Sequence, residues 1–213
     1  MKRLTLAGIV TLAFALGALA QGSINLNNSF GINYGVATDM AGNYYSGTYG
    51  IEVWELSGVS SVPAGINLTP GTGSGVTAFV HMAADGFKLE ATFADQTMSV
   101  GTITIGEVDM PDVTPAGSTV VVALAAWNNS AASWSAMAAS ATGTTRTGVI
   151  AFLNPTANYS VPPAPTPPNI TGWNSVSDLV MTAIPEPDAL ALAGVGVVVV
   201  LLLRRRFIAK LSS

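Results

Sequence analysis

Thr119 to Trp127 reads TVVVALAAW. A run this continuously apolar, with three valines in succession, suits a β-strand inside a two-layer packing. The segments on either side follow the same habit. Thr48 to Leu56 (TYGIEVWEL) alternates, with Tyr49, Ile51 and Val53 on one face and either Trp54 or Glu55 contesting which face is buried. Val76 to Met82, Phe87 to Phe93 and Thr97 to Ile105 (TMSVGTITI) each have strand length and β-branched or aromatic content. Asp85-Gly86 is a hairpin signal between the first two of these. Thr147 to Leu153 and Ser177 to Ala183 are further strand candidates, and Gly22 to Asn27 reads as a first, alternating one. Strands at this spacing, joined by turns rich in Gly, Asn and Pro, predict an all-β fold. The expected architecture is a single β-sandwich domain of immunoglobulin or jelly-roll type.

Three segments interrupt the pattern. Ser130 to Ser140 (SAASWSAMAAS) is alanine-rich with Trp134, Met137 and Ala138 at helical spacing, which predicts one short helix. Val161 to Asn169 (VPPAPTPPN) predicts an extended, polyproline-like crossing, because too little chain follows for a second domain. Gly65 to Gly75 (GINLTPGTGSG) reads as a mobile surface loop. Its glycines do not make a phosphate loop, since no Lys follows and no strand-to-helix context exists.

The chain has 213 residues and no cysteine, which excludes disulfides, thiolate nucleophiles and Cys-ligated zinc or iron–sulfur sites. Gln21 to Ala183 is long enough for one domain with a core of ordinary size. Within it Lys88 and Arg146 stand against ten acidic residues, a net charge of −8. So acidic a body is a poor partner for nucleic acid or an anionic membrane surface.

Little in the domain points to chemistry. His81 is the single histidine, so a zinc site lacks ligands and a Ser-His-Asp triad would rest on this one residue. Glu107, Asp109 and Asp112 offer oxygen ligands to calcium, yet they lack an EF-hand pattern, and acids across a Pro-containing turn are commonly just solvated. No other metal site and no cofactor is expected. Among ten acids no two stand out as a glycosidase pair. Trp127 and Trp134 are expected in the core, the strand end packing on the helix. Tyr44, Tyr45 and Trp173 lie in polar, loop-like sequence and are the candidates for an exposed sugar-stacking surface. Sequons at Asn27, Asn67, Asn128, Asn158 and Asn169 are what an Asn-, Ser- and Thr-rich composition produces by chance.

The two ends carry the functional information. Met1-Lys2-Arg3 followed by Leu4 to Leu19 is a basic region and an apolar core. Ala18-Leu19-Ala20 supplies small residues for signal-peptidase cleavage, so residues 1–20 read as a signal peptide. At the other end, residues 184–213 open with Ile184-Pro185-Glu186-Pro187-Asp188. Apolar or small residues follow from Ala189 to Leu203, and Arg204-Arg205-Arg206 closes the run. As a helix, Ala189 to Leu203 covers roughly 22 Å, short of a ~30 Å hydrocarbon core, a deficit that snorkelling arginines reduce. A buried core helix is the competing reading; three consecutive arginines so near the end argue for a transmembrane helix. Basic residues stay on the cytoplasmic side, which places everything before Ala189 outside. Pro185 and Pro187 keep Glu186 in an extended peptide just outside the bilayer, a shape that a processing enzyme's cleft binds.

Pro185-Glu186-Pro187, an apolar segment rich in Ala, Gly, Val and Leu, and a terminal arginine cluster together resemble the PEP-CTERM sorting signal. The resemblance implies recognition by exosortase, a multi-pass membrane protease, and release to the cell surface or extracellular matrix of a bacterium that commonly makes exopolysaccharide. Asp188 stands where many relatives have Ser or Thr. Val108 to Trp127, the Trp134 helix, the proline-rich crossing and the last strand are also similar in order to exported PEP-CTERM proteins of Verrucomicrobia, with Pro115-Ala116-Gly117 in place of the usual Pro-Gly turn. The expectation is an exported protein with no catalytic activity, anchored in the inner membrane before processing. A polysaccharide-binding module is the alternative, and an extracellular hydrolase a third reading.

Overall fold

The computed structural model describes residues 22–29, 37–67, 75–113, 115–159, 162–163, 165–175 and 178–184. The expected signal peptide, the Pro185-Glu186-Pro187 motif, the 189–203 span and the arginine cluster lie outside the described residues. Among the described residues no helix is long and apolar enough to cross a membrane.

The chain runs β1 (Gly22–Asn27), β2 (Ala37–Asp39), β3 (Gly47–Leu56), α1 (Gly75–Ala84), β4 (Lys88–Met98) and β5 (Thr104–Met110). It continues through β6 (Thr119–Trp127), α2 (Trp134–Ala139), β7 (Arg146–Pro155), a 3₁₀ turn (Gly172–Ser175) and β8 (Leu179–Ala183). Six strands form one sheet in the order β2-β8-β7-β6-β3-β4, and β1 pairs with β5 in a second, two-stranded sheet. The fold is mostly β, as expected, but its layers differ from two matched sheets. The small sheet covers one face of the large one, and α1, α2 and the Ile66 segment cover the other.

β6 lies near the middle of the large sheet and explains its own composition. Val120, Val122, Leu124 and Ala126 join the core under the small sheet, while Val121, Ala123, Ala125 and Trp127 join the core under the helices. A strand buried on both faces favours a near-continuous apolar run, hence TVVVALAAW. The neighbouring β3 is in the same position, with Tyr49, Ile51 and Val53 on one face and Glu52 buried on the other.

Three expectations need correction. Val76 to Met82 is not a strand but lies within α1, so the domain has two α-helices rather than one among the described residues. Its buried positions Gly75, Ala78 and Met82 fall on one helical stripe, and that period outweighs the β-branched Val and Thr. Asp85-Gly86 accordingly makes no hairpin: the Asp85 N–H donates to the His81 carbonyl (3.0 Å), and Gly86 at φ 85° follows the helix end. Thr97 to Ile105 is not one strand. Val100 and Gly101, at φ 53° and 72°, form a tight two-residue turn between β4 and β5, closed by a bond from Thr102 N–H to the Ser99 carbonyl (3.0 Å).

The edge strand β4 is long, and Met98 is its one buried residue. Register shifts against β3 and the left-handed Asp95 (φ 52°) break its hydrogen-bonding edge, which guards an exposed strand against pairing with other chains. The end of the proline-rich segment runs parallel alongside β1, with Asn25 bridged to Asn169 and its N–H donating to the Pro168 carbonyl (2.8 Å).

The stretch read as a mobile loop is partly pinned. Ile66 is fully buried, and the Asn67 amide acts as a strand in miniature on β7: its Nδ2 donates to the Ala151 carbonyl and its Oδ1 accepts the Ala151 N–H, both at 2.7 Å. Asn67→Ala leaves both backbone groups of a fully buried residue unpaired. A loss of about 2 kcal/mol is expected, read as a lower urea midpoint at unchanged slope. A shift under about 0.5 kcal/mol would mean that water replaces the amide.

Candidate functional site

The residues offered for ligand binding do not converge. Trp173 is fully buried and lies parallel to Phe152 at 6.0 Å, with its indole N–H unpaired; it is core, not a surface platform. Tyr45 is half-buried and donates its hydroxyl to the Thr48 carbonyl (3.3 Å), and burial raises its pKa against the opposing pull of Arg146. Only Tyr44 of the three is well exposed, at 61%. Trp127 and Trp134 are buried as expected, edge-to-face at 6.2 Å, with Phe79 stacked on Trp134 at 4.4 Å.

The acids Glu107, Asp109 and Asp112 do not gather either. Glu107 accepts a hydrogen bond from the Tyr159 hydroxyl, whereas Asp112 pairs with Lys88 at 2.6 Å. Among the described residues no three His, Asp or Glu side chains are placed to hold a metal ion. His81 is exposed in the last turn of α1.

Two acids not offered as site residues, Glu52 and the Glu55 that contested the buried face with Trp54, are the buried ones. Glu52, 3% exposed, accepts the Trp134 N–H (2.8 Å) and the Trp54 indole N–H (3.1 Å), so a β3 carboxylate fixes the first turn of α2. Burial raises its pKa, and these two hydrogen bonds offset part of the rise. Glu55, 2% exposed, has neither oxygen hydrogen-bonded. Burial first, then Glu90 and Asp112, lift its pKa to about 7; Lys88 and a Ser57 contact outside hydrogen-bond geometry oppose the rise. Ile51, Val53 and Leu56 around these glutamates were the available signal. A strand with apolar residues on both faces must bury whatever else it carries.

Two concave surfaces among the described residues lie where the sheet delivers the chain to its C-terminal tail. An open cleft of about 440 Å³ is lined by Asn128, Asn129, Ser130, Ala131, Thr142 and Thr145 among others, all uncharged. A smaller one, about 250 Å³, lies between Asp39, Met40, Arg146, Met181 and Ala183. Neither holds a pair of carboxylates. Many polar atoms of the larger cleft already serve the loop itself: Asn128 Oδ1 accepts the Arg146 N–H (2.7 Å) and its Nδ2 donates to the Thr144 carbonyl (3.2 Å).

β8 ends between these clefts. Arg146 pairs with Ala183 and Thr147 with Thr182, and the Ile184 N–H donates to the Thr145 carbonyl at 2.9 Å. The next residue in the chain is Pro185. The last strand of the β domain thus leads directly into Pro-Glu-Pro, an apolar run and an arginine cluster. Residues 183–206 match the family described as the PEP-CTERM protein-sorting motif, beginning at the last residue of β8. No curated protein and no solved structure matches the chain.

Proposed function

We propose that this protein does no chemistry of its own and is the substrate of an exosortase-type membrane protease. The observation that carries this reading is the sorting-motif match at residues 183–206, set directly behind the last strand. Residues 1–20 are then a signal peptide removed after Ala20, residues 21–183 the exported domain and residues 184–213 the sorting signal. Pro185, Glu186 and Pro187 are what the protease recognises. Ala189 to Leu203 holds the precursor in the inner membrane, and Arg204, Arg205 and Arg206 keep the end of the chain inside. The product goes to the cell surface or the extracellular matrix.

The positions of the domain's two ends support this arrangement. β1 starts beside Thr156, near the end of β7, while β8 finishes beside Arg146, where β7 begins. The start of β1 and the end of β8 therefore lie toward opposite ends of β7. A sugar-binding role would have to rest on Tyr44, since Trp173 is buried, and a hydrolase would need paired carboxylates that neither cleft supplies.

Intact-mass analysis of the protein recovered from the producing cells tests the reading. The expected mature chain begins at Gln21 and ends upstream of Arg204. A mature protein that still carries Arg204-Arg205-Arg206 would falsify it.

A further inference from the structure

The sheet holds the chain up to the last residue before the sorting motif. Thr182 and Ala183 pair with β7, and Ile184 adds one more hydrogen bond, to Thr145. The Thr182 hydroxyl ties this end further, donating to the Thr147 carbonyl (3.1 Å) and accepting the Gly75 N–H (3.2 Å). Only Pro185, Glu186, Pro187 and Asp188 then separate Ile184 from the apolar run at Ala189. Four residues span at most about 14 Å even when fully extended. A protease that takes its peptide as an extended strand needs backbone on both sides of the motif. On the upstream side that backbone is already committed to β7.

The same end is also the part of β8 that can let go. Its ladder with β7 has two residue pairs, and its other neighbour, β2, is a three-residue parallel strand. The side chains that root β8, Leu179 and Met181, are fully buried, but they precede the last rungs. Beyond them Ala183 is exposed and Ile184 half-buried. Opening residues 182–184 breaks the two rungs, the Ile184 bond and the two Thr182 hydroxyl bonds and lifts Ile184 off the helix-side core, but leaves Leu179 and Met181 in place, the kind of local opening that sheet termini undergo.

We infer that the end of β8 is a releasable clasp on the sorting tail: the sheet holds the residues just upstream of the motif, and the protease engages the motif only when Thr182 to Ile184 leave β7. This rests on the sorting reading above and adds a conformational condition to it. Cleavage then follows the population of the opened end rather than the mere presence of the motif. A ligand that seats on the Asn128–Thr145 cleft, whose Thr145 carbonyl holds Ile184, and that binds the paired end more tightly than the opened one would lower that population.

A disulfide locks the clasp cleanly because the chain has no cysteine of its own. Arg146 and Ala183 are exposed cross-strand partners, and antiparallel partners about 4.5–5.5 Å apart at Cα fall within disulfide range. The full-length precursor carrying Arg146→Cys and Ala183→Cys is followed in the producing cell by intact mass, beside each single variant. The expected result is tail removal at least about tenfold slower in the crosslinked protein and unchanged in the single variants. A second, crosslinked version carries Gly-Ser-Gly-Ser between Ile184 and Pro185, and the spacer is expected to restore processing. Processing of the crosslinked protein at the wild-type rate overturns the clasp while leaving the sorting reading in place. So does a spacer that fails to rescue. A wild-type precursor that keeps its tail overturns the sorting reading, and the clasp with it.

Discussion

Gly172→Ala is expected to destabilise the domain by more than about 4 kcal/mol, a large part of the 5–15 kcal/mol that holds an ordinary domain together. A Cβ built on Gly172 falls 1.6 Å from the Leu153 carbonyl oxygen and 2.7 Å from its carbon. Neither atom is the loose end of a side chain. Leu153 belongs to β7, which is fixed along its whole length by pairing with β6. The turn must therefore move away, and three things go with it. The Thr171 and Gly172 N–H groups lose Asn154 Oδ1, at 2.8 and 3.2 Å. Trp173 is drawn off Phe152 and out of the core, where it is fully buried. The space it leaves is comparable to that of a Trp→Ala change, about 3–5 kcal/mol by itself. Urea unfolding followed by Trp fluorescence measures the loss. A midpoint within about 1 kcal/mol of wild type would mean that this turn is not seated on β7.

Trp173 also marks where reading the sequence stopped working. Strand content was legible wherever a run carried its own period: Gly22–Asn27 and Thr119–Trp127 coincide with β1 and β6, and Thr48 to Leu56 lies one residue inside β3. Trp173 follows a proline-rich crossing and sits in Thr-Gly-Trp-Asn, which has no period. Its burial depends on Gly172 approaching β7, a contact between residues distant in sequence. Val100 failed for the opposite reason. A β-branched residue is expected in a strand, and here it occupies a left-handed turn position at φ 53°. Its N–H donates to the Ser46 hydroxyl (3.0 Å), again a partner from elsewhere in the chain. The sorting signal needed no tertiary information, because a tripeptide, an apolar run and an arginine cluster are local and ordered along the chain. What the sequence did not disclose is that the sheet holds this signal up to Ile184.

Between pH 5 and pH 8 the wild-type domain is expected to lose stability, and Glu55→Gln to abolish most of that loss. Glu55 faces Glu90 and Asp112 with Lys88 across from it, and Lys88 is already engaged by Asp112 at 2.6 Å. Its carboxyl is buried without a hydrogen bond, so the charged form is disfavoured and the pKa rises from its ordinary 4.5 to about 7. The folded protein thus holds this proton more tightly than the unfolded chain. The resulting stabilisation is complete below about pH 4.5, declines as pH rises through the window up to about 7, and is gone above it. A shift of that size corresponds to at most about 3 kcal/mol. Glu55→Gln keeps the burial but loses the nearby Lys88 attraction, so about 2 kcal/mol is the expected effect. Glu52 and Glu90, whose pKa values burial also raises, add to the slope in the same direction. In thermal melts at pH 8 the Gln variant is expected to unfold about 4–8 °C above wild type, with the two converging toward pH 5. Parallel curves across that range would show that Glu55 reaches water in the folded protein. Glu55 would then be a solvated charge on β3 rather than a carboxyl kept neutral by burial.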